Sequence, residues 1–262
     1  MIKVEKKFRL PNKNTLFVGK VSRRFSALPS TNDYAANWLL RERPAEGAAI
    51  LADHQTAGRG QMGNTWDTES GQNLTVSVIF YPTFLLARDQ FELNQALALA
   101  VRDAVANFTE KPVIVKWPND ILIGERKICG ILIQNSLSGP NIQSSIVGMG
   151  INVNQEAFAP GLSRASSLYL ETGQKIDLND LMLTLFAHLE TRYLQLRQGG
   201  IDNIRTDYLQ HLYRRNERRQ FAYPDGRQFY GTITGVDKNG KLKIETGGQV
   251  ELFAIKDVVY VY

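Results

Sequence analysis

The stretch that decides the fold is residues 111–134, with the sequence KPVIVKWPNDILIGERKICGILIQ. The β-branched run at 113–115 predicts a half-buried strand. Turn-forming residues follow at 118–120, and a second short turn is expected at 124–126. The next apolar run contains Gly130, and a glycine inside a strand often marks the close approach of a ligand or another backbone. The stretch therefore predicts adjacent antiparallel strands with a candidate site beside them.

Lys116 closes the first of these strands, and its position has two interpretations. Lysine side chains are mostly exposed, so position alone favours a solvated charge at the edge of a sheet. Trp117 and the rigid Pro118 that follow would also hold a charged side chain in one place. The rest of the chain decides between these interpretations.

The length and composition set the class of protein. The chain has 262 residues, 43% of them hydrophobic, which is enough for one large core with a small second domain. It shows no signal peptide and no apolar stretch long enough to span a bilayer. The single cysteine, Cys129, cannot form an internal disulfide, which favours a reducing cytoplasm. Three histidines and one cysteine give no metal-ligand spacing.

The net charge of +5 suits polyanionic partners such as nucleotides, acidic proteins or nucleic acid, without choosing among them. The densest basic run, at 214–219, is typical of a solvated surface. No recognisable nucleic-acid-binding module surrounds it.

Residues 15–27 predict a first strand, and Ser30, Thr31 and Asn32 follow it. Ser30 with Asp33 resembles a capping box, so a helix to about residue 43 is expected. Capping alone explains these residues. A helix start also presents free N–H groups and hydroxyls to a polar ligand, and both interpretations can hold together.

A glycine-rich loop at 54–66 lies between predicted strands at 48–53 and 73–81. It fits neither a Walker motif nor a dinucleotide fingerprint, and an ordinary surface loop is the default interpretation. However, Arg59 stands between two glycines and Trp66 ends the loop. They offer a cation for a phosphate and a ring for a base.

The remaining periodicity predicts further helices, a strand, and a change of pattern near the C-terminus. A strand is expected at 142–149, a loop around Gly173, and helices at 87–109, 177–198 and 201–213. Five short strands after residue 219, separated by turns, are typical of a small barrel. We therefore expect two domains, 1–214 and 215–262.

Four motifs together resemble one known family. They are Ser30-Thr31-Asn32, the sequence QTAGRG at 55–60 leading to Trp66, the sequence KWPND at 116–120 with Lys127 and Gly130, and the sequence GMGINVN at 148–154. In this order and spacing they are similar to the biotin protein ligases, or biotin–[acetyl-CoA-carboxylase] ligases. Each motif alone is weak, but four in order are specific, and the resemblance spans about residues 15–262.

The resemblance implies an α+β fold: a mixed central β-sheet flanked by helices, as in class II synthetases, with an SH3-like C-terminal barrel. It also implies a two-step reaction in which biotin and ATP form biotinyl-5′-AMP, which then biotinylates a lysine of a biotin carboxyl carrier domain. A carboxylate and a phosphate repel each other, so the site must supply positive charge. We expect Lys116 and Arg59 to be the catalytic cations. Mg²⁺ is expected with ATP, and its ligands are not identified.

The resemblance also implies which residues bind each substrate. The biotin-binding set is Ser30, Thr31, Asn32, Gln55, Arg59, Gly60, Gln61, Lys116 and Gly130. The ATP- and adenylate-binding set is Arg59, Trp66, Asn119, Lys127 and Asn152.

Two departures from the family pattern stand out. Gln61 and Asn64 replace arginines that are common in the family loop, so this loop carries fewer charges. The motifs also begin about thirty residues into the chain, which leaves no room for the DNA-binding domain of bifunctional members. We therefore expect no DNA partner. From the lack of a long apolar stretch and from the single cysteine we expect no membrane partner and a cytoplasmic location, and a homodimer is carried over from relatives.

Two alternatives stay open. A lipoate protein ligase or octanoyltransferase resembles this fold and also modifies a carrier lysine, although the loop and KWPND favour biotin. A non-catalytic, biotin-sensing regulator belongs to a different class, and the missing DNA-binding module argues against it.

Overall fold

The structure, a computed structural model, describes residues 3–7 and 15–262. An eight-stranded mixed sheet packs against helices, and a five-stranded antiparallel sheet follows in the C-terminal part. This arrangement confirms the predicted α+β class with a small C-terminal β-domain. The division at residues 214 and 215 stays a proposal.

The strands and helices are numbered in chain order. The strands are β1 Lys3–Lys7, β2 Ser22–Ala27, β3 Ala49–Ala52, β4 Leu74–Phe80, β5 Val113–Lys116, β6 Asp120–Ile123, β7 Arg126–Ser138, β8 Asn141–Ile151, β9 Arg218–Ala222, β10 Gln228–Val236, β11 Leu242–Thr246, β12 Gln249–Phe253 and β13 Val259–Tyr260. The helices are α1 Thr31–Arg41, α2 Gln90–Ala106, α3 Leu168–Thr172, α4 Leu178–Arg197 and α5 Ile201–Gln210.

The large sheet has the order β1-β2-β3-β4-β8-β7-β6-β5. Only β2 and β3 run parallel, and every other neighbouring pair is antiparallel. Strands β5 to β8 form a meander, because short turns can join antiparallel neighbours. Residues 111–134 predicted this pattern for the part of the meander that they cover. The small sheet has the order β12-β11-β10-β9-β13.

Helices cover both faces of the large sheet at β4. Side chains such as Val76 and Val78 belong to the core under α2 and α4, whereas Ile79 packs under α1 with Trp38. All seven residues of β4 are buried. A strand covered on both faces has no solvent side, so no residue of β4 is exposed.

Three further features of the secondary structure differ from the predictions. Strand β2 begins only at Ser22, since residues 15–21 form turns and Leu16 is 79% exposed. The loop expected before Gly173 contains the short helix α3, capped by the Ser167 hydroxyl. Strand β1 was not predicted, because its lysines hide the β pattern.

Helix α5 also ends before residue 213, where it was predicted to end. The chain from His211 to Tyr213 runs beside Val115 instead: the Val115 N–H donates to the His211 carbonyl at 2.9 Å, and the Tyr213 N–H donates to the Val115 carbonyl at 2.8 Å. Trp117 Nε1 donates to the Gly240 carbonyl at 2.8 Å. The edge of the large sheet is therefore joined to the C-terminal domain.

A buried carboxylate holds the turn that precedes β2. Glu190 on α4 is 6% exposed, and its oxygens accept the backbone N–H groups of Leu16, Phe17 and Val18 at 2.6, 2.8 and 2.9 Å. Three charge-assisted hydrogen bonds thus fix the chain before it enters the sheet.

Removal of this carboxylate should destabilise the fold. We expect Glu190→Ala to lower the free energy of unfolding by about 3 kcal/mol, because buried N–H groups lose their acceptor. Urea unfolding measures the change. Thr191→Ala, at the exposed neighbouring position of the same helix, is the control and should change it by less than about 0.5 kcal/mol. Equal losses in both variants would contradict the role of Glu190.

Candidate active site

A polar cavity lies on one face of the large sheet, between the start of α1 and the loop at 54–66. It brings together residues from all four sequence motifs. Its lining is Ser30, Thr31, Asn32, Gln55, Arg59, Gly60, Gln61, Asn64, Thr65, Trp66, Thr75, Asn119, Asp120, Lys127, Gly130, Ile131, Leu132, Gly148, Met149 and Gly150.

Glycines form the floor of this cavity. Gly130 of β7 pairs directly with Gly150 of β8. A Cβ atom on Gly150 would lie 2.3 Å from the ring of Trp66, and one on Gly148 would lie 2.2 Å from Asn32 Oδ1. These side chains can rest flat on the sheet only because the backbone beneath them carries no Cβ.

The start of α1 forms the inner end of the cavity. Ser30 caps the helix, with its hydroxyl 3.3 Å from the Asp33 N–H. The Thr31 N–H donates to Gln55 Oε1 at 2.7 Å, and the Thr31 hydroxyl oxygen is 3.0 Å from the same atom. The capping and ligand-facing interpretations of this helix start are therefore compatible.

Asn32 connects α1 to strands β4 and β7. Its Oδ1 lies 2.6 Å from the hydroxyl of Ser77, and its Nδ2 donates to Gln134 Oε1 at 2.8 Å. Neither partner was predicted from the sequence. Ser77 is fully buried within an apolar strand, and a polar residue in such a place is the signal that could have identified it.

The glycine-rich loop folds back on itself. The Trp66 N–H donates to the Gly58 carbonyl at 3.0 Å, and the Gly60 N–H donates to the Asn64 carbonyl at 2.7 Å. A 3₁₀ turn at Gln61–Gly63 forms its tip. The loop thereby places Trp66 over the glycine floor.

Arg59 lies at the rim of the cavity. Its guanidinium forms an ion pair of 2.6 Å with Asp33 in the first turn of α1. The side chains of Arg59 and Asp33 are 51% and 45% exposed, so the pair is solvated and weak. A bound anion could therefore compete with Asp33 for Arg59.

A β-bulge turns Lys127 into the cavity. Ile121 pairs with Cys129 but Leu122 pairs with Lys127, so β7 carries one extra residue at this point. In a regular strand, residues 127 and 130 would face opposite sides. The bulge puts them on one face, with Lys127 Nζ 3.4 Å from a Cβ built on Gly130. Sequence reasoning could not detect this shift.

Lys127 has two fixed neighbours in the cavity. Its ammonium forms an ion pair of 2.7 Å with Asp120 and lies 5.5 Å from the centroid of the Trp66 ring. Asp120 pairs directly with Gly130 across β6 and β7, so both carboxylate and ammonium lie over the same floor.

Lys116 is not brought to the cavity, which conflicts with the expectation that it lies between reacting groups. It belongs to β5, two strands from Gly130 and so about 10 Å away across the sheet. Its ammonium lies 4.9 Å from the Tyr260 ring centroid and 5.6 Å from that of Tyr262. Burial raises the pKa of the Tyr260 phenol, so this ring stays neutral.

Asn152 also lies outside the cavity lining, contrary to its predicted contact with the nucleotide. It is buried, and its Nδ2 donates to the Ser166 carbonyl at 3.0 Å. Asn119 does line the cavity: its Nδ2 donates to the Ile131 carbonyl at 2.7 Å, which leaves Oδ1 for another partner.

The remaining reactive groups do not add a second centre. Cys129 is fully buried, and desolvation raises the pKa of its thiol, so it stays protonated at neutral pH. Within residues 3–7 and 15–262, no group of three or more His, Cys, Asp or Glu side chains could hold a metal ion. The chemistry of the cavity therefore rests on Lys127, Asp120 and Arg59.

Known proteins share this sequence pattern. A sequence model of the biotin/lipoate A/B protein ligase family matches residues 25–152. The chain is 32% identical over 202 residues to a biotin--[acetyl-CoA-carboxylase] ligase of Paracoccus denitrificans, which covers 74% of this chain and 82% of that protein. The chain belongs to the biotin protein ligase family. The resemblance seen in the four motifs is thereby confirmed.

Other biotin protein ligases agree with this assignment. The bifunctional ligase/repressor BirA of Bacillus subtilis is 30% identical over 232 residues, covering 87% of this chain and 71% of that protein. The solved biotin protein ligase from Aquifex aeolicus in complex with biotin and ATP has a TM-score of 0.77 and 24% identity, over 92% of this chain and 100% of that chain. That likeness shows the same fold. Across the described part of this ligase, no helix has the length and apolarity to cross a membrane.

The glycine floor can be tested without substrate. In Gly150→Ala the new methyl group must displace Trp66, so acrylamide should quench tryptophan fluorescence more strongly than in the wild type. Thermal unfolding should also show a loss of about 1–3 kcal/mol. Gly161→Ala is the control, because a Cβ there meets no atom within 4 Å. Unchanged quenching in Gly150→Ala would refute the close contact.

Proposed function

We propose that this chain activates biotin with ATP to give biotinyl-5′-AMP and pyrophosphate, and then transfers the biotinyl group to a lysine of a biotin carboxyl carrier domain. The observation that supports this most is a cavity with a polar inner end and a lysine on a glycine floor. The Paracoccus relative is named a biotin--[acetyl-CoA-carboxylase] ligase, and the Aquifex enzyme was solved with biotin and ATP.

The inner end of the cavity suits the ureido ring of biotin. That ring has two N–H donors and one carbonyl acceptor. Ser30, Thr31 and Gln55 meet there with hydroxyl, amide and backbone groups, all of them buried. Buried polar groups discriminate strongly against a ligand that leaves them unpaired, so this end selects a polar ring.

Lys127 takes the role that the sequence pattern suggested for Lys116. In the first step a carboxylate oxygen of biotin forms a bond to the α-phosphorus of ATP, and the bond from that phosphorus to pyrophosphate breaks. The ammonium of Lys127 stabilises the negative charge that gathers on the phosphate. Asp120 holds this ammonium in place through the 2.7 Å ion pair. No protein nucleophile is required, because the carboxylate is already ionised.

The residues present fit a Mg²⁺ ion bound mainly through ATP. Mg²⁺ prefers oxygen ligands and usually takes one or two from the protein, with the rest from phosphates and water. Asp120 and Asn119 both line the cavity, and the Asp120 carboxylate and Asn119 Oδ1 could hold it. When bound, the ion neutralises charge on the triphosphate.

Trp66 and the loop suit the nucleotide and the reactive intermediate. The ring of Trp66 offers a flat apolar surface, and Arg59 offers a cation that is paired with the solvated carboxylate of Asp33. In the second step the carrier lysine amine attacks the biotinyl carbonyl and AMP leaves. Because water would hydrolyse the mixed anhydride, a loop that covers it protects the intermediate. A homodimer, carried over from the family, and a cytoplasmic location, inferred from the single cysteine, stay proposals.

A lipoate or octanoate ligase is the second candidate, since the matching family model includes lipoate ligases. Lipoate and octanoate end in apolar groups. The buried amide of Gln55 and the hydroxyl of Thr31 would lose hydrogen bonds to such an end, which favours biotin.

The activity is tested by pyrophosphate exchange into ATP, with biotin, lipoate and octanoate compared. Of these three acids, we expect only biotin to support exchange. Lys127→Ala should lower kcat by about 10²–10³-fold, as for other groups that stabilise developing charge. Lys116→Ala is the matched control and should stay within about threefold, because its ammonium lies outside the cavity. Exchange with lipoate but not biotin would overturn the proposed substrate, and reversed effects of the two lysines would overturn the assigned cation.

The loop charge gives a separate prediction. Gln61 lines the cavity where relatives commonly carry arginine, so this loop should hold biotinyl-5′-AMP less tightly. We expect Gln61→Arg to slow adenylate release by about tenfold, through one charge-assisted hydrogen bond. Rapid filtration of the preformed adenylate complex measures the rate. Gln143→Arg, which adds the same charge at an exposed position outside the cavity, should have no effect. Equal retention by wild type and Gln61→Arg would contradict the hypothesis.

A further inference from the structure

A chain of five polar side chains runs beneath the cavity, from Gln134 to Gln55. The amide of Asn32 donates to Gln134 at one end. Between the ends, the Ser77 hydroxyl oxygen lies 2.6 Å from Asn32 Oδ1 and 2.7 Å from Thr31 Oγ1. At the other end, Thr31 Oγ1 lies 3.0 Å from Gln55 Oε1. Ser77 and Gln134 stand outside the cavity lining, and Gln134 borders the groove on the far side of α1.

The hydrogens in this chain can be counted. Asn32 Oδ1 and Gln55 Oε1 are acceptors only, and each hydroxyl between them has one hydrogen. Three short oxygen–oxygen contacts therefore share two hydrogens. Ser77 is the hydroxyl beside Asn32 Oδ1 and gives its hydrogen to that oxygen at 2.6 Å. Of the two remaining contacts, the one between Thr31 and Ser77 is shorter, 2.7 Å against 3.0 Å, and Gln55 Oε1 already accepts the Thr31 N–H. The Thr31 hydrogen therefore belongs on Ser77, and none remains for the contact between Thr31 and Gln55.

The orientation of the Asn32 amide decides this count. Its nitrogen faces Gln134 Oε1 and also lies 3.5 Å from the Leu132 carbonyl. A backbone carbonyl can only accept a hydrogen bond, so the nitrogen belongs on this side. Gly148 makes the placement possible, since it lies between Ser77 and Leu132 in the register of β4, β8 and β7 and leaves room for the amide.

We propose that Ser77 and Gln134 are positioning residues that turn the hydroxyl hydrogen of Thr31 away from the cavity. Thr31 Oγ1 and Gln55 Oε1 then face the cavity as two neighbouring acceptors. A ligand N–H supplies the hydrogen that this pair lacks. This inference rests on the proposed function, because the ureido ring of biotin brings such N–H donors. It makes biotin selection depend on residues that do not touch biotin.

Ser77→Ala tests the direction of the Thr31 hydroxyl. Without the Ser77 oxygen, the Thr31 hydroxyl donates its hydrogen to Gln55 Oε1. The two oxygens then bond to each other and no longer both await a ligand N–H. We expect the KM for biotin in pyrophosphate exchange to rise about tenfold, the worth of one net hydrogen bond, while kcat and the KM for ATP stay unchanged. The competitive inhibition constant of an analogue with CH₂ in place of each ureido N–H should not change.

Ser145→Ala is the matched control for this variant. Ser145 is also fully buried in the same sheet, and its hydroxyl donates to Asn135 Oδ1 at 2.7 Å. Both variants lose a buried serine hydrogen bond and should lose similar stability. Only Ser77→Ala should alter the KM for biotin, and an equal rise in Ser145→Ala would show that the effect is merely structural.

A pair of substitutions at Gln134 tests the other end of this hydrogen-bonded series of side chains. Gln134→Met removes the acceptor that holds the Asn32 amide. The amide can then invert, and the hydrogen bonds of Ser77 and Thr31 can reverse their direction. We expect its KM for biotin to rise several-fold, by part of the worth of one hydrogen bond. Gln134→Glu keeps an acceptor at the same place and should hold the KM within about twofold of the wild type.

The outcomes separate this inference from the proposed function. If the wild type shows no biotin-dependent exchange, the proposed function fails. If the wild type is active, the inference is overturned when Ser77→Ala leaves the KM for biotin unchanged. It is also overturned when Ser77→Ala weakens binding of the CH₂ analogue as much as of biotin, or when Gln134→Glu and Gln134→Met behave alike.

Discussion

The site depends on bare backbone at the centre of the large sheet. Gly130, Gly148 and Gly150 lie on neighbouring strands. A Cβ on Gly148 or Gly150 would clash with a functional side chain, and one on Gly130 would crowd Trp66 at 3.1 Å. Because interiors are close-packed, a sheet with ordinary side chains here would fill the cavity. The glycines let Asn32 and Trp66 lie on the sheet itself. The cavity is therefore a shallow space between a floor of backbone and walls from α1 and the loop.

A second constraint is the bulge in β7, which sets which lysine takes part. Lys116 and Lys127 are both conspicuous in the sequence, and both flank the same turn region. Strand pairing leaves Lys116 at the sheet edge over two tyrosine rings, while the bulge brings Lys127 over Gly130. Position in the motif is thus a weaker guide to chemistry than strand register.

The resemblance carried by the four motifs was sufficient for the fold class, and periodicity and turn residues predicted the main helices and the strands of residues 111–134. It also brought most of the cavity residues together, through four motifs whose spacing is specific. The sequence did not predict the roles of residues that depend on long-range tertiary contacts. Ser77 and Gln134 gain their importance only when α1 lies across the sheet, and Asn152 turns away because Ser166 passes beside it. Such contacts leave no periodic signal.

The pairing of residues 211–213 with Val115 has a consequence for synthesis of the chain. Strand β5 lies at the edge of the large sheet, and an uncovered edge readily pairs with other chains. Residues 211–213 are made almost a hundred residues after β5. During translation the edge therefore stays open until they leave the ribosome, and this interval is when a nascent chain is most exposed to aggregation.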